Sequence, residues 1–309
     1  MYNLHAKFLI CLLNQSAILM KKIVLNLALV SLLSTAFMAC SSSDSKIHPS
    51  ADEVMNSGYK TLTVTDNIRY REGDSPSWVL DMAMPANYGS ELRPALVIVH
   101  GGGWAAGSKS VDVYQKMMLD YARKGYVTVN VEYRLTGEAP FPACIEDLKC
   151  AVRWLRAHAD KYRVDPDRIG GYGHSAGAHL ALMLAMCPDT AGLEGDGGWD
   201  EYSSRLNVVV GGSTPTELGR DVPMAKPEWW PIGYIAADHP PIFIIQGSDD
   251  RIVRAELTED FVEKMKAAGA NIEYLKIEGA GHGVAYNERL EITEPAIEEF
   301  FAKHLHPEL

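Results

Sequence analysis

The sequence predicts an α/β protein built on a doubly wound, mostly parallel sheet. Short apolar runs alternate with amphipathic or Ala-rich runs over roughly residues 60 to 305. Several of the short runs, such as Pro94-Ala95-Leu96-Val97-Ile98-Val99, are apolar at every position. That is the pattern of a strand covered on both faces. His100, Ser175, Asp250 and His282 each follow one of these predicted strands, at the edge where such sheets build their sites.

With 309 residues, 47% of them hydrophobic, the chain can bury one large core or two small ones. The formal net charge is -11, and no basic run of the kind that grips phosphate backbones occurs. Nucleic acid is therefore excluded as a partner class. Met20-Lys21-Lys22 is a short positive region, followed by an apolar stretch from Ile23 to Ala39 and then Cys40-Ser41-Ser42-Ser43. The pattern reads as a bacterial-type export signal within residues 1–40, starting at Met20, with 1–19 an upstream extension. Cys40, directly after Ala39, resembles the lipidated cysteine of lipoproteins, with Phe37 and Met38 departing from the usual Leu and small residue. The other reading is an ordinary secretory signal cut nearby. Both place the mature chain outside the cytoplasm, either lipid-anchored in the outer membrane or periplasm, or free. Residues 41–56 read as a flexible linker and 57–309 as the folded domain.

The elements then follow in order. Tyr59 to Val64 and Ser77 to Pro85 alternate as two antiparallel edge strands, with a turn at Asn87 to Ser90. Pro94 to Val99 is a central strand. It runs into His100-Gly101-Gly102-Gly103-Trp104, where three glycines free the backbone to present N–H groups to a developing negative charge. A helix is expected from Val111 to Lys124, a strand from Tyr126 to Tyr133, and a helix from Ala143 to Asp160 with Leu148, Ala151, Val152 and Leu155 on one face. Asp165-Pro166-Asp167 is expected to turn into the Ile169 strand. The helix after Ser175 stops at Cys187, before Pro188. A loop spans Asp189 to Ser203, and Leu206 to Val210 is a buried strand. Gly211 to Asp238, with Trp229, Trp230 and Tyr234, suits a small cap or pocket wall; the alternative is that the tryptophans only anchor a loop. Pro241 to Ile245, a helix from Ala255 to Ala268, Ile272 to Ile277, and a helix from Glu294 to His304 with Pro295 in its first turn complete the chain. Cys144 and Cys150 fall on different faces of one helix, which makes them poor disulfide partners. No metal-ligand spacing occurs.

Gly173-His174-Ser175-Ala176-Gly177 sits between a predicted strand and a predicted helix. A sharp turn there leaves no room for side chains two before and two after the serine, and holds its hydroxyl above the sheet. A serine hydroxyl becomes nucleophilic when a neutral imidazole takes its proton. His282, flanked by Gly281 and Gly283, is placed to do so. An acid from the loop after the Ile245 strand, Asp249 or Asp250, would hold the other ring nitrogen.

These motifs resemble the α/β-hydrolase superfamily, within it the hormone-sensitive-lipase-like carboxylesterases, and nearest the bifunctional feruloyl and acetyl-xylan esterases. The resemblance rests on His100 to Trp104, Tyr133-Arg134-Leu135, Pro142 with Asp147, Gly173 to Gly177, and Gly247-Ser248-Asp249-Asp250-Arg251-Ile252-Val253. It implies the α/β-hydrolase fold, an eight-stranded sheet with a small cap insertion. It implies a Ser175–Asp250–His282 triad, with Gln246 standing where the family often has histidine. The backbone N–H groups of Gly102, Gly103 and Ala176 would form the oxyanion hole, and His100 would frame the glycine loop. Trp104, Trp229 and Trp230 are candidate pocket residues, Asp147 suits a buried partner of a loop, and structural roles are expected for His174 and His179. The implied activity is serine-dependent hydrolysis, through an acyl-enzyme and without metal or cofactor. The implied substrates are short-chain or carbohydrate-linked acetyl and feruloyl esters, small or polysaccharide-borne. The alternative is a secreted serine amidase, peptidase or arylformamidase of the same fold.

Overall fold

The computed structural model describes residues 61–86, 91–217 and 226–305. The expected export signal, Cys40, the 41–56 linker and the turn at 87–90 lie outside the described residues. Eight strands are present: β1 (Leu62–Arg69), β2 (Val79–Pro85), β3 (Arg93–Val99), β4 (Val127–Val131), β5 (Val164–His174), β6 (Val208–Gly212), β7 (Ile242–Gly247) and β8 (Ile272–Ile277). They form one sheet in the order β1-β2-β4-β3-β5-β6-β7-β8. Pairing is antiparallel between β1 and β2 and between β2 and β4, and parallel from β4 onward. This is the α/β-hydrolase fold.

The helices are α1 (Asp112–Arg123), α2 (Ala143–Ala157), α3 (Ala159–Tyr162), α4 (Ala176–Met186), α5 (Ala255–Ala267) and α6 (Leu290–Leu305). They divide between the two faces of the sheet. Within β3, Ala95, Val97 and Val99 pack with α2, α4 and α5, while Leu96 and Ile98 pack with α1 and α6. A strand whose successive side chains enter two different cores has to be apolar throughout. α4 is buried along its whole length, which suits its run of Ala, Leu and Met.

Three expectations need correction. β2 is an interior strand, because β4 pairs with its far side and matches Leu80 to Val131; β1 and β8 are the edges. Asp165-Pro166-Asp167 does not end a segment but lies inside β5, as a bulge between the pairs Arg93–Val164 and Ala95–Ile169. The Asp165 carboxylate accepts the Asp167 N–H at 3.0 Å within it. The last helix begins at Leu290, so Pro295 lies in its interior rather than in its first turn. The Arg289 carbonyl accepts the N–H groups of Ile292 and Thr293, both at 3.0 Å, and so starts the helix one turn early. Cys144, Cys150 and Cys187 are buried free thiols.

Candidate active site

Ser175 links β5 to α4 with φ 56° and ψ -125°, a left-handed backbone that costs a non-glycine residue about 1–3 kcal/mol. The flanking glycines explain how the turn is held. A Cβ on Gly173 would lie 2.2 Å from the Gly177 carbonyl oxygen, and one on Gly177 would lie 2.2 Å from that of Val99. The Ser175 N–H donates to the Gly212 carbonyl at 2.9 Å, so β6 fixes the turn from the other side.

The structure brings Ser175, His282 and Asp250 together. His282 Nε2 lies 3.0 Å from Ser175 Oγ, and its Nδ1 lies 2.9 Å from Asp250 Oδ2. A carboxylate only accepts, so it holds the proton on Nδ1 and leaves Nε2 as the acceptor for the serine hydroxyl. Asp250 Oδ1 takes the N–H groups of Ile252 and Val253, each at 2.9 Å. Burial pushes the Asp250 pKa up, but the hydrogen bond and charge of His282, with those two amides, outweigh it and hold the carboxyl below its ordinary value. Asp249 is exposed and accepts from Ser248 Oγ at 3.0 Å, so it is Asp250 that meets the ring.

Two residues outside that trio grip the His282 main chain. His174 Nε2 donates to the His282 carbonyl at 2.7 Å, and Ser213 Oγ donates to the same oxygen at 3.1 Å. Burial pushes the His174 pKa down to about 3, with the nearby His282 adding to the effect. Its ring is therefore a neutral donor, stacked on Tyr286 at 4.8 Å between centroids. Ser213 was not foreseen. Its one signal is its place just past β6, at the same sheet edge as the triad.

The glycine loop is held from below. His100 is fully buried and stacks on Tyr133 at 4.2 Å, with Nε2 3.0 Å from Glu132 Oε1. Glu132 also accepts Ser108 Oγ at 2.9 Å and the Lys109 N–H at 3.1 Å. Burial raises the Glu132 pKa, but the bond to His100, its charge, and these two donors lower it further, to a net value below that of an ordinary glutamate. Tyr114 Oη accepts the Gly101 N–H at 2.7 Å. Gly102 and Gly103 have φ of 126° and 60°, values that glycine adopts without penalty. Among the described residues, nothing accepts the N–H of Gly102, Gly103 or Ala176.

Trp104 Nε1 donates to His179 Nδ1 at 3.1 Å, while His179 Nε2 donates to the Trp229 carbonyl at 2.8 Å. His179, one turn past Ser175 on α4, thus ties the glycine loop to the segment around the short 3₁₀ helices Pro227–Trp229 and Pro231–Tyr234. Trp104 and Trp229 are half-buried. Trp230 is 1% exposed and packs edge-on against Trp104 at 5.5 Å, so it backs the aromatic wall and does not face solvent. Asp147 is buried, pairing with Arg134 at 2.8 Å and accepting Trp78 Nε1 at 2.9 Å.

The fold is that of the α/β-hydrolases, and comparison with known proteins relates the chain to carboxylesterases of that fold. The BD-FAE family model matches residues 80–226. Esterase LipC of Mycobacterium tuberculosis is 29% identical over 241 residues, 68% of this chain and 58% of that protein. The chain spans 54% to 61% of the length of this and two further curated mycobacterial relatives. A butyrate-bound structure of a thermophilic esterase from Thermogutta terrifontis superposes with a TM-score of 0.68 at 29% identity, covering 77% of this chain and 93% of that one. A truncated carbohydrate esterase from gut microbiota shares the fold, with a TM-score of 0.69 at 23% identity over 81% of this chain and 98% of its own.

Proposed function

We propose that this chain is a serine carboxylic-ester hydrolase acting on short-chain or carbohydrate-linked acyl esters such as acetyl and feruloyl groups. The observation that carries the reading is the Ser175–His282–Asp250 relay, with contacts of 3.0 and 2.9 Å, beside a glycine loop with unspent N–H groups. In this reading Ser175 Oγ attacks the ester carbonyl carbon as His282 Nε2 takes its proton. The carbonyl oxygen becomes an oxyanion facing the N–H groups of Gly102, Gly103 and Ala176. Collapse breaks the bond to the alcohol, which leaves with the proton from His282, and the acyl group remains on Ser175. Water then attacks the acyl carbon, giving its proton to His282; the bond to Ser175 Oγ breaks, His282 returns that proton to the serine oxygen, and the carboxylic acid departs. Asp250 holds the ring and offsets the charge it carries between these steps. The named function of the mycobacterial relatives and the butyrate held by the Thermogutta terrifontis esterase support ester cleavage. The carbohydrate-linked class rests on the resemblance of the His100 to Trp104 and Gly247 to Val253 motifs to the feruloyl and acetyl-xylan esterases.

The test is a hydrolysis panel of nitrophenyl acetate and butyrate, acetylated xylan, methyl ferulate, formylated aromatic amines and dipeptide amides. Ester turnover should dominate, and Ser175→Ala should lower it roughly ten-thousand-fold or more without changing the fold. Turnover confined to the amides, or unaffected by Ser175→Ala, would refute the reading.

A further inference from the structure

Gln246 lies within β7, just before Gly247, and is fully buried. Its Nε2 is 2.9 Å from the Val253 carbonyl and 3.1 Å from Asp250 Oδ2, and its Oε1 accepts Thr258 Oγ1 at 3.4 Å. A carbonyl only accepts, so Val253 identifies which end of the amide is nitrogen. One N–H is spent on Val253. The other falls on the carboxylate oxygen that also receives His282 Nδ1. With Ile252 and Val253 on Oδ1, the Asp250 carboxylate meets four donors, two on each oxygen, and only the one from His282 belongs to the reaction.

We infer that Gln246 is a positioning residue for the catalytic acid, setting both the orientation of Asp250 and how strongly it pulls on His282. The inference rests on the reading of Asp250 as the acid. Three fixed donors leave the carboxylate one orientation. The amide also competes with the imidazolium for electron density on Oδ2. A carboxylate already satisfied on that oxygen gains less when the ring becomes charged, so the Gln246 amide weakens the pull of Asp250 on the charged ring. An amide does this without titrating, which an imidazole or carboxyl in its place would not. A purely structural Gln246, tying β7 to Val253 and Thr258, would affect stability but not the pH dependence of turnover.

The experiment compares the full chain with Gln246→Met, which keeps the shape and loses the donor, and Gln246→His, which keeps an N–H. Folding is checked by thermal melting, and kcat/KM for nitrophenyl acetate is followed from about pH 5 to about pH 9. Gln246→Met should lower kcat/KM about tenfold and move the acid limb up by about half a pH unit, with Gln246→His returning the limb toward wild type. NMR titration of the His282 ring reads the same shift without turnover. A folded Met variant with the wild-type limb would overturn the inference. If Met does not fold, Gln246→Ala, which also lacks the donor and cannot overpack, decides: an acid limb moved up supports the inference and a wild-type limb overturns it. Asp250→Asn separates the two levels. If it keeps full activity, the acid assignment fails and the inference with it; if it is silent while Gln246→Met leaves the limb unmoved, only the inference fails.

Discussion

Acid should destabilise this domain before its carboxylates titrate, because two buried histidines are held neutral. His174 and His179 are 5% and 0% exposed, and each spends its Nε2–H on a carbonyl, those of His282 and Trp229. Burial pushes their pKa values down to about 3 and about 4. In the unfolded chain both return to an ordinary histidine value of about 6.5. Below that value the unfolded state binds protons that the folded state refuses, so stability is complete above it and declines as pH falls toward the folded values. At about pH 5 each histidine costs about 2 kcal/mol, or about 4 kcal/mol together, against a typical total of about 5–15 kcal/mol. The depressed carboxyls of Glu132 and Asp250 work lower, since their share is lost only as pH falls below an ordinary carboxyl value toward their own. The assay is urea unfolding at about pH 7 and about pH 5. His174→Gln keeps an amide donor for the His282 carbonyl and does not titrate, so it should remove about half of the loss. A wild-type midpoint that does not move between the two pH values, or a His174→Gln slope equal to wild type, would refute the reasoning.

Two further outcomes follow from the site. Asp250→Asn should lower kcat by roughly four orders of magnitude, by analogy with other triad acids, while Asp249→Asn should leave it within about twofold, as for an exposed surface change; nitrophenyl acetate kinetics on both variants check the choice of acid. Gly177→Ala should cost about 1–3 kcal/mol in stability, because its Cβ would meet the Val99 and His100 carbonyl oxygens at 2.2 and 2.6 Å. It should also lower kcat sharply by displacing Ser175, and urea melts with initial rates test both effects.

Local chemistry was legible in the sequence wherever it depends on near neighbours. The glycines around Ser175 predict a turn that excludes side chains, and the Cβ clashes at Gly173 and Gly177 are its physical form. The continuous apolar run of β3 predicts a strand between two helical layers. β2 lacks that signal because Asp81 interrupts its apolar run, although Val79–Pro85 is buried nearly throughout whereas β1 is largely exposed. The onset of α6 escaped because its first hydrogen bonds come from Arg289, a residue with no recognised capping pattern.

Contacts between distant segments are a different matter. The order serine, acid, histidine follows from the chain alone, and so does the glycine loop that precedes them. Which of two adjacent aspartates meets His282 is decided by backbone direction after Gly247, which turns one carboxylate inward and the other to solvent. His174 and Ser213 carry no motif of their own in this role, because the His282 carbonyl they share lies 108 and 69 residues away and is met only when β5 and β6 align beside it. Sequence by itself determined the parts of the site, since those are properties of residue type and local turn. Tertiary structure alone decided how they are held, since a hydrogen bond depends on distance and angle, and both are set by the packing of strands far apart in the chain.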